Sequence, residues 1–181
     1  MSPPALFPPR DADAHLRVLL LHNRYRAAGG EERVVDELEA LLRAQGHAVA
    51  RLERDSERAS SAQAARGLLR GGVDPGDVAK AVRLHRADVV HAHNVHPLFG
   101  WRALAAAQAA GARTVLHLHN YRLVCAIGVA FRVGEPCYRC HGRDALPAVR
   151  HRCRGSFAES AVYAAGLARQ QPRLLAHADA L

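Results

Sequence analysis

The sequence predicts an α/β domain: a Rossmann-like parallel sheet with helices on both faces. Three observations lead there. Short apolar runs end in histidine or asparagine, the stretches between them carry apolar residues at three- and four-residue spacing, and glycines stand at several of the joints. A parallel strand buried on both faces reads as a nearly unbroken apolar run, and strands that alternate with helical segments at this rhythm imply crossover connections. With 181 residues, 49% of them hydrophobic, the chain has the size of one domain with a full core.

Residues 1–15 read as a disordered leader rich in proline (Pro3, Pro4, Pro8, Pro9), which places the domain at 16–181. Arg17 to His22 is the first strand, feeding a loop that ends in Gly29-Gly30-Glu31. From Glu31 to Gln45, Val34, Val35, Leu38, Leu41 and Leu42 form one apolar stripe of a helix. Glu31 and Glu32 suit its positive end, and Gly46 suits its stop. Ala48 to Leu52 is the second strand, followed by a polar Arg/Ser stretch. Asp74-Pro75 then opens a helix to about Arg86, with Asp74 as its cap. Asp88 to His93 is a strand, Leu98 to Ala110 a helix closed by Gly111, and Thr114 to His119 a strand. Beyond His119 the periodicity dissolves until Ser156, which with Glu159 forms a capping box for a helix to about Arg169. The irregular insertion, about 123–155, contains all four cysteines. Long irregular segments are functional or pinned by something other than a core.

Charge narrows the function classes. The formal net charge is +8, yet Lys80 is the only lysine and the arginines are scattered rather than gathered in a stripe. That argues against a nucleic-acid partner. No apolar run reaches the roughly 18 to 20 residues needed to span a bilayer, and the N-terminus lacks a signal pattern, so the expected compartment is the cytoplasm. Thiols stay reduced there, and the cysteines are therefore read as metal ligands or reactive groups and not as disulfides.

The Gly29-Gly30 turn before a helix offers backbone N–H groups to phosphate; a plain tight turn explains it as well. It is not Gly-x-Gly-x-x-Gly, so a nicotinamide or flavin cofactor is not expected. His91-Ala-His93 and His117-Leu-His119 each put two imidazoles on one face of a strand. With His22, Asn94, His96 and Asn120 they would gather at the C-terminal strand ends, where open parallel sheets bind ligands. No helical His-x-x-x-His and no neighbouring carboxylate supports a catalytic zinc among them. Cys125-x11-Cys137-x2-Cys140-x12-Cys153 has the pattern of a four-sulfur structural zinc site. Free or redox-active thiols and an iron–sulfur centre remain alternatives, and His141 or His151 could replace one sulfur.

Gly29-Gly30-Glu31, the string Asp88-Val-Val-His-Ala-His-Asn-Val-His-Pro-Leu98, Leu118-His-Asn-Tyr-Arg-Leu123 and His151-Arg-Cys153-Arg-Gly-Ser156 together resemble the N-terminal, acceptor-side domain of family-4 glycosyltransferases. The resemblance runs from about Val18 to the C-terminus. It implies one half of a GT-B fold, a nucleotide-sugar co-substrate, retention of anomeric configuration and no catalytic metal. Gly29 and Gly30 would lie near the donor diphosphate, with Glu31 beside them. His119 would touch the transferred sugar as the catalytic candidate, and His93, Asn94, Asn120 and Tyr121 would line a pocket for a saccharide or lipid-linked acceptor. The donor-binding half of that family is expected to be absent from these residues and supplied by a separate domain or chain. A lipid-linked acceptor would bring the protein to the inner membrane face, through Phe157, Val162, Tyr163 and Leu167. The competing expectation is a non-enzymatic, zinc-stapled module binding nucleic acid or protein.

Overall fold

The computed structural model describes residues 15–24 and 30–181, so Gly29 and residues 1–14 of the leader lie outside it. Four strands, β1 (Arg17–Arg24), β2 (Ala48–Asp55), β3 (Val89–His93) and β4 (Arg113–His117), form a parallel sheet in the order β2-β1-β3-β4. Central β1 pairs with both β2 and β3. Its residues Val18 to Leu21 are almost fully buried, which is why that run carries no polar alternation. Ala180 adds a parallel bridge to Val115 at the far edge.

Strand parity divides the core. Val18, Leu20 and Val49 pack against Val35, Leu38 and Leu42 of helix α1 (Gly30–Ala44) on one face. Leu19, Leu21, Val90, Ala92 and Leu116 face the other way, onto Val78 and Val82 of α3 (Pro75–His85) and Ala103, Leu104 and Ala107 of α4 (Gly100–Ala109). Leu174 of α6 (Phe157–Ala176) completes that side. The Rossmann-like α/β architecture follows, with the strand order reversing between β1 and β3.

The structure departs from the sequence expectations in several places. The polar stretch after β2 holds a helix, α2 (Ser61–Arg70), opened by a Ser60/Gln63 capping box and closed by Gly71 at φ 84°. Its inward face carries a single large residue: the Gly67 backbone meets Pro97, and Leu68 meets Gly166 of α6, so it has no apolar stripe to read. Asp74 does not cap α3; it sits left-handed at φ 39°, and its carbonyl accepts from Arg54 Nη2 at 2.8 Å. β4 stops at His117, leaving Leu118 and His119 in the loop beyond. α6 continues past Arg169 through Pro172 to Ala176. Pro172 has no N–H for the Ala168 carbonyl, and Arg143 Nε donates to that oxygen instead at 3.3 Å. Ser156 accepts from Glu159 N as expected, while the Glu159 carboxylate binds Arg154 at 2.9 Å and does not reach back. The insertion contains a small hairpin, β5 (Phe131–Arg132) with β6 (Glu135–Pro136), and a short helix α5 (Leu146–Arg150). Ala126, Ala145, Ala148, Ala164 and Leu167 form its modest core.

Candidate functional site at the C-terminal strand ends

The parallel register places His22, His93 and His117 side by side at the ends of β1, β3 and β4. Each strand then hands polar groups to one rim. Asn23, fully buried, donates from Nδ2 to Ser56 Oγ at 2.7 Å and to the His96 carbonyl at 2.8 Å. Asn94, at φ 43°, donates from Nδ2 to the Asn23 carbonyl at 2.7 Å. The loops after β1 and β3 are thus laced together by asparagine amides, which give buried backbone oxygens the partners they need. Beyond β4, Asn120 Nδ2 donates to Glu31 Oε1 at 2.7 Å, tying that loop to the first turn of α1. Glu32 Oε1 stands 3.7 Å from His22 Nε2.

Four imidazoles pack together beside this rim. His91 and His93 rings lie 4.4 Å apart, those of His117 and His119 4.2 Å, and those of His93 and His119 5.1 Å. His93 Nδ1 and His119 Nε2 share a hydrogen bond of 2.8 Å. Burial, reinforced by the neighbouring histidines, pushes His93 down to about 2 and His91 and His119 down to about 4. Burial with the nearby Arg122 guanidinium pushes His96 down to about 4. At neutral pH these rings are therefore uncharged, with lone pairs on offer to donors or cations.

No family model, curated protein or solved structure matches this chain.

The geometry itself sorts the residues singled out from sequence. Asn94, His119 and Asn120 line one small open pocket, together with His96, His117 and Arg122. His93 stands directly behind it, through its bond to His119. Glu31 joins the same rim through Asn120, and Gly30 is exposed at the start of α1. Tyr121 is placed elsewhere: it lines the cysteine pocket described below. Asn23 and Arg122 were not singled out, since an asparagine and an arginine in a loop carry no periodic or spacing signal.

All four cysteines are free thiols, and Cys125, Cys137, Cys140 and Cys153 line one small pocket. Burial, with the other cysteines adding to it, pushes the Cys140 and Cys153 thiols up. His151 is engaged by Arg139 Nη1 at 2.9 Å, and neither it nor His141 lines this pocket.

A third, larger groove of about 1790 Å³ runs between α2 and α6, bordered by Ser61, Leu68, Arg122, Arg154 and Tyr163. The apolar stripe expected on α6 is divided: Leu167 is 5% exposed in the insertion core, Tyr163 carries the Arg154 guanidinium 3.9 Å above its ring, and Phe157 is 61% exposed. Among the described residues no helix is long and apolar enough to cross a membrane.

Proposed function

We propose that this chain is the acceptor-side half of a retaining, family-4-type glycosyltransferase that moves a sugar from a nucleotide-sugar to a saccharide or lipid-linked acceptor. The observation that carries the reading is the convergence of Asn94, His96, His119 and Asn120 on one pocket, joined by Asn120 to the first turn of α1. It lies beyond the C-terminal ends of β3 and β4, the edge of an open α/β sheet at which ligands are held. A neutral imidazole and several amides provide directional hydrogen bonds to sugar hydroxyls without the cost of burying a charge. The positive end of α1 suits the diphosphate of a leaving nucleotide. In this reading the donor is gripped mainly by a second half, in the same polypeptide or another, because transfer requires both substrates to be held together. The work would take place in the cytoplasm, at the inner face of the membrane where the acceptor is lipid-linked. No catalytic metal is required.

The test is to combine the chain with a donor-binding half of this enzyme class and measure nucleoside diphosphate release from a panel of nucleotide-sugars. Release should require both halves and drop about a hundredfold or more in His119→Ala. Absence of release from the pair, together with saccharides that leave the Asn94, His96 and Asn120 resonances unshifted, would sink the proposal.

All four free thiols line one pocket, although no three of their sulfurs stand as a ready ligand group among the described residues; a second, compatible element is a structural zinc that would draw them together and staple the insertion. Zinc would replace the core that this alanine-lined segment lacks.

A further inference from the structure

We propose that His91, His93 and His117 form a binding site for a divalent transition-metal ion, with His119 as the residue that positions His93. The inference goes beyond sugar transfer and stands whether or not that reading holds. It rests on strand geometry. His91 and His93 are two residues apart on β3, and His117 is the register partner of His93 on β4, so all three side chains leave the same face of the sheet. One ring nitrogen from each lies within 4.8 Å of the others. Some point then lies within about 2.8 Å of all three atoms, so the zinc–imidazole distance of roughly 2.0–2.1 Å is reached if the rings tilt inward by at most about 0.8 Å. Small side-chain rotations supply that. His91 and His117 are partly exposed, which gives a hydrated ion a way in, while His93 is fully buried.

The second observation concerns His93 itself. Its Nδ1 is engaged by His119 Nε2 at 2.8 Å, whereas its Nε2 is buried without a hydrogen-bond partner. An orphaned nitrogen inside a protein costs about 1–3 kcal/mol and calls for an explanation. An ion provides one. With Nδ1–H donated to His119, the Nε2 lone pair is left for coordination, the arrangement by which a second-shell partner sets the tautomer of a ligating histidine. The donor set selects the ion: three imidazoles favour Zn²⁺, Co²⁺, Ni²⁺ or Cu²⁺, and the oxygen-seeking Mg²⁺ and Ca²⁺ find no carboxylate among them. Glu32, whose field reaches both His22 and His119, offsets part of the added charge from the first turn of α1. Three protein ligands leave a fourth position for water or another small ligand.

The experiment is a Co²⁺ titration of the full chain, purified without a histidine tag and stripped by a chelator. The expected spectrum has visible d–d bands of an N/O-ligated ion, separable from any cobalt on the cysteines by the latter's thiolate charge-transfer absorption. His91→Gln and His117→Gln should each weaken the N/O site at least tenfold. His119→Ala should weaken it by about tenfold or more, and His119→Gln, which still accepts the His93 Nδ1–H bond, should restore part of the loss. In the unaltered chain, substoichiometric Co²⁺ should broaden the imidazole NMR signals of His91, His93 and His117 first. An absent N/O-type spectrum, unchanged affinity in both strand variants, or broadening confined to other residues overturns the proposal.

Discussion

Acidification should destabilise this protein well above the pH at which carboxylates titrate, and His96 sets the scale. It is 6% exposed, its Nε2 has no partner, and burial with the Arg122 charge holds it at about 4 against an ordinary value of 6.5. The folded-state value is the lower one. Between pH 6.5 and 4 the unfolded chain therefore binds a proton that the folded chain refuses, and stability present above pH 6.5 is lost as the pH falls through that window. Taking the two values at face value, the loss from His96 alone is about 2 kcal/mol at pH 5 and approaches about 3 kcal/mol near pH 4. His91, His93 and His119 are lowered in the same direction, so their contributions have the same sign. Domains of this size have about 5–15 kcal/mol in total, which makes the effect large enough to see without special conditions. Urea denaturation followed by circular dichroism, with a chelator present, should give a midpoint that is flat above pH 7 and falls steeply from pH 6.5 to 5. In His96→Leu the slope should lose one proton's worth, up to about 1.4 kcal/mol per pH unit. A midpoint that is level or rising between pH 7 and 5 would refute the assignment of these rings as buried and neutral.

Asn23→Ala removes the amide that bonds Ser56 Oγ and the His96 carbonyl, and should cost about 2–3 kcal/mol in urea denaturation. A cost below about 0.5 kcal/mol would mean the rim is not held by that amide. Gly72→Ala would set a Cβ 1.8 Å from the Phe99 carbonyl oxygen at a φ of 112°, so the melting temperature should fall by about 4–8 °C or more; an unchanged melt would contradict the close packing of the two loops. Cys137→Ser with Cys140→Ser should lower the zinc retained through gel filtration by about one ion per chain and open residues 123–155 to protease, leaving the sheet's hydrogen-exchange protection in place. A zinc content equal to that of the unaltered chain would remove the case for the staple.

What the sequence discloses about this fold depends on how much apolar surface each element buries. Strand β1 is legible because its run is buried on both faces, β2 to β4 because short apolar runs alternate with helical segments even where the strands are only partly buried, and α1 because Val35, Leu38 and Leu42 are large and regularly spaced. Helix α2 is not, since its buried face has Gly67 against Pro97 and only one large residue, Leu68, against Gly166. The end of β4 is misplaced by two residues because His119 keeps the alternation going after the ladder has stopped. Of the candidate site, the histidines announce themselves by spacing, and Asn94, Asn120 and Glu31 by position at element ends. Asn23 and Arg122 act through hydrogen bonds and charge across about 70 and 26 residues of sequence separation respectively, and long-range pairing of that kind leaves no local pattern. The cysteines carry their clustering in their spacing, whereas Tyr121 shows the limit of position alone: two residues past His119, it has already turned toward the thiols.

The same parity that separates the two cores also separates two kinds of site. Val90 and Ala92 are committed to the α3/α4 side, so His91 and His93 take the α1 side, and a slip of one residue in β3 would exchange them. Within that face His91, His93 and His117 stand on the sheet itself, while Asn94, His96, His119 and Asn120 stand past its edge. The two groups meet through the bond between His93 Nδ1 and His119 Nε2 and through the stacked rings of His117 and His119, 4.2 Å apart. If an ion fixes His93 as the donor in that bond, His119 Nε2 is occupied as acceptor, and the ring's remaining N–H alone faces outward. A sugar hydroxyl at the rim would then meet a donor rather than an acceptor. Binding at the two places is therefore coupled, and the factor by which Co²⁺ changes saccharide affinity must equal the factor by which saccharide changes Co²⁺ affinity. Measured independence of the two in the intact chain, with coupling equally absent in His119→Gln, would show that this hydrogen bond carries no information between them.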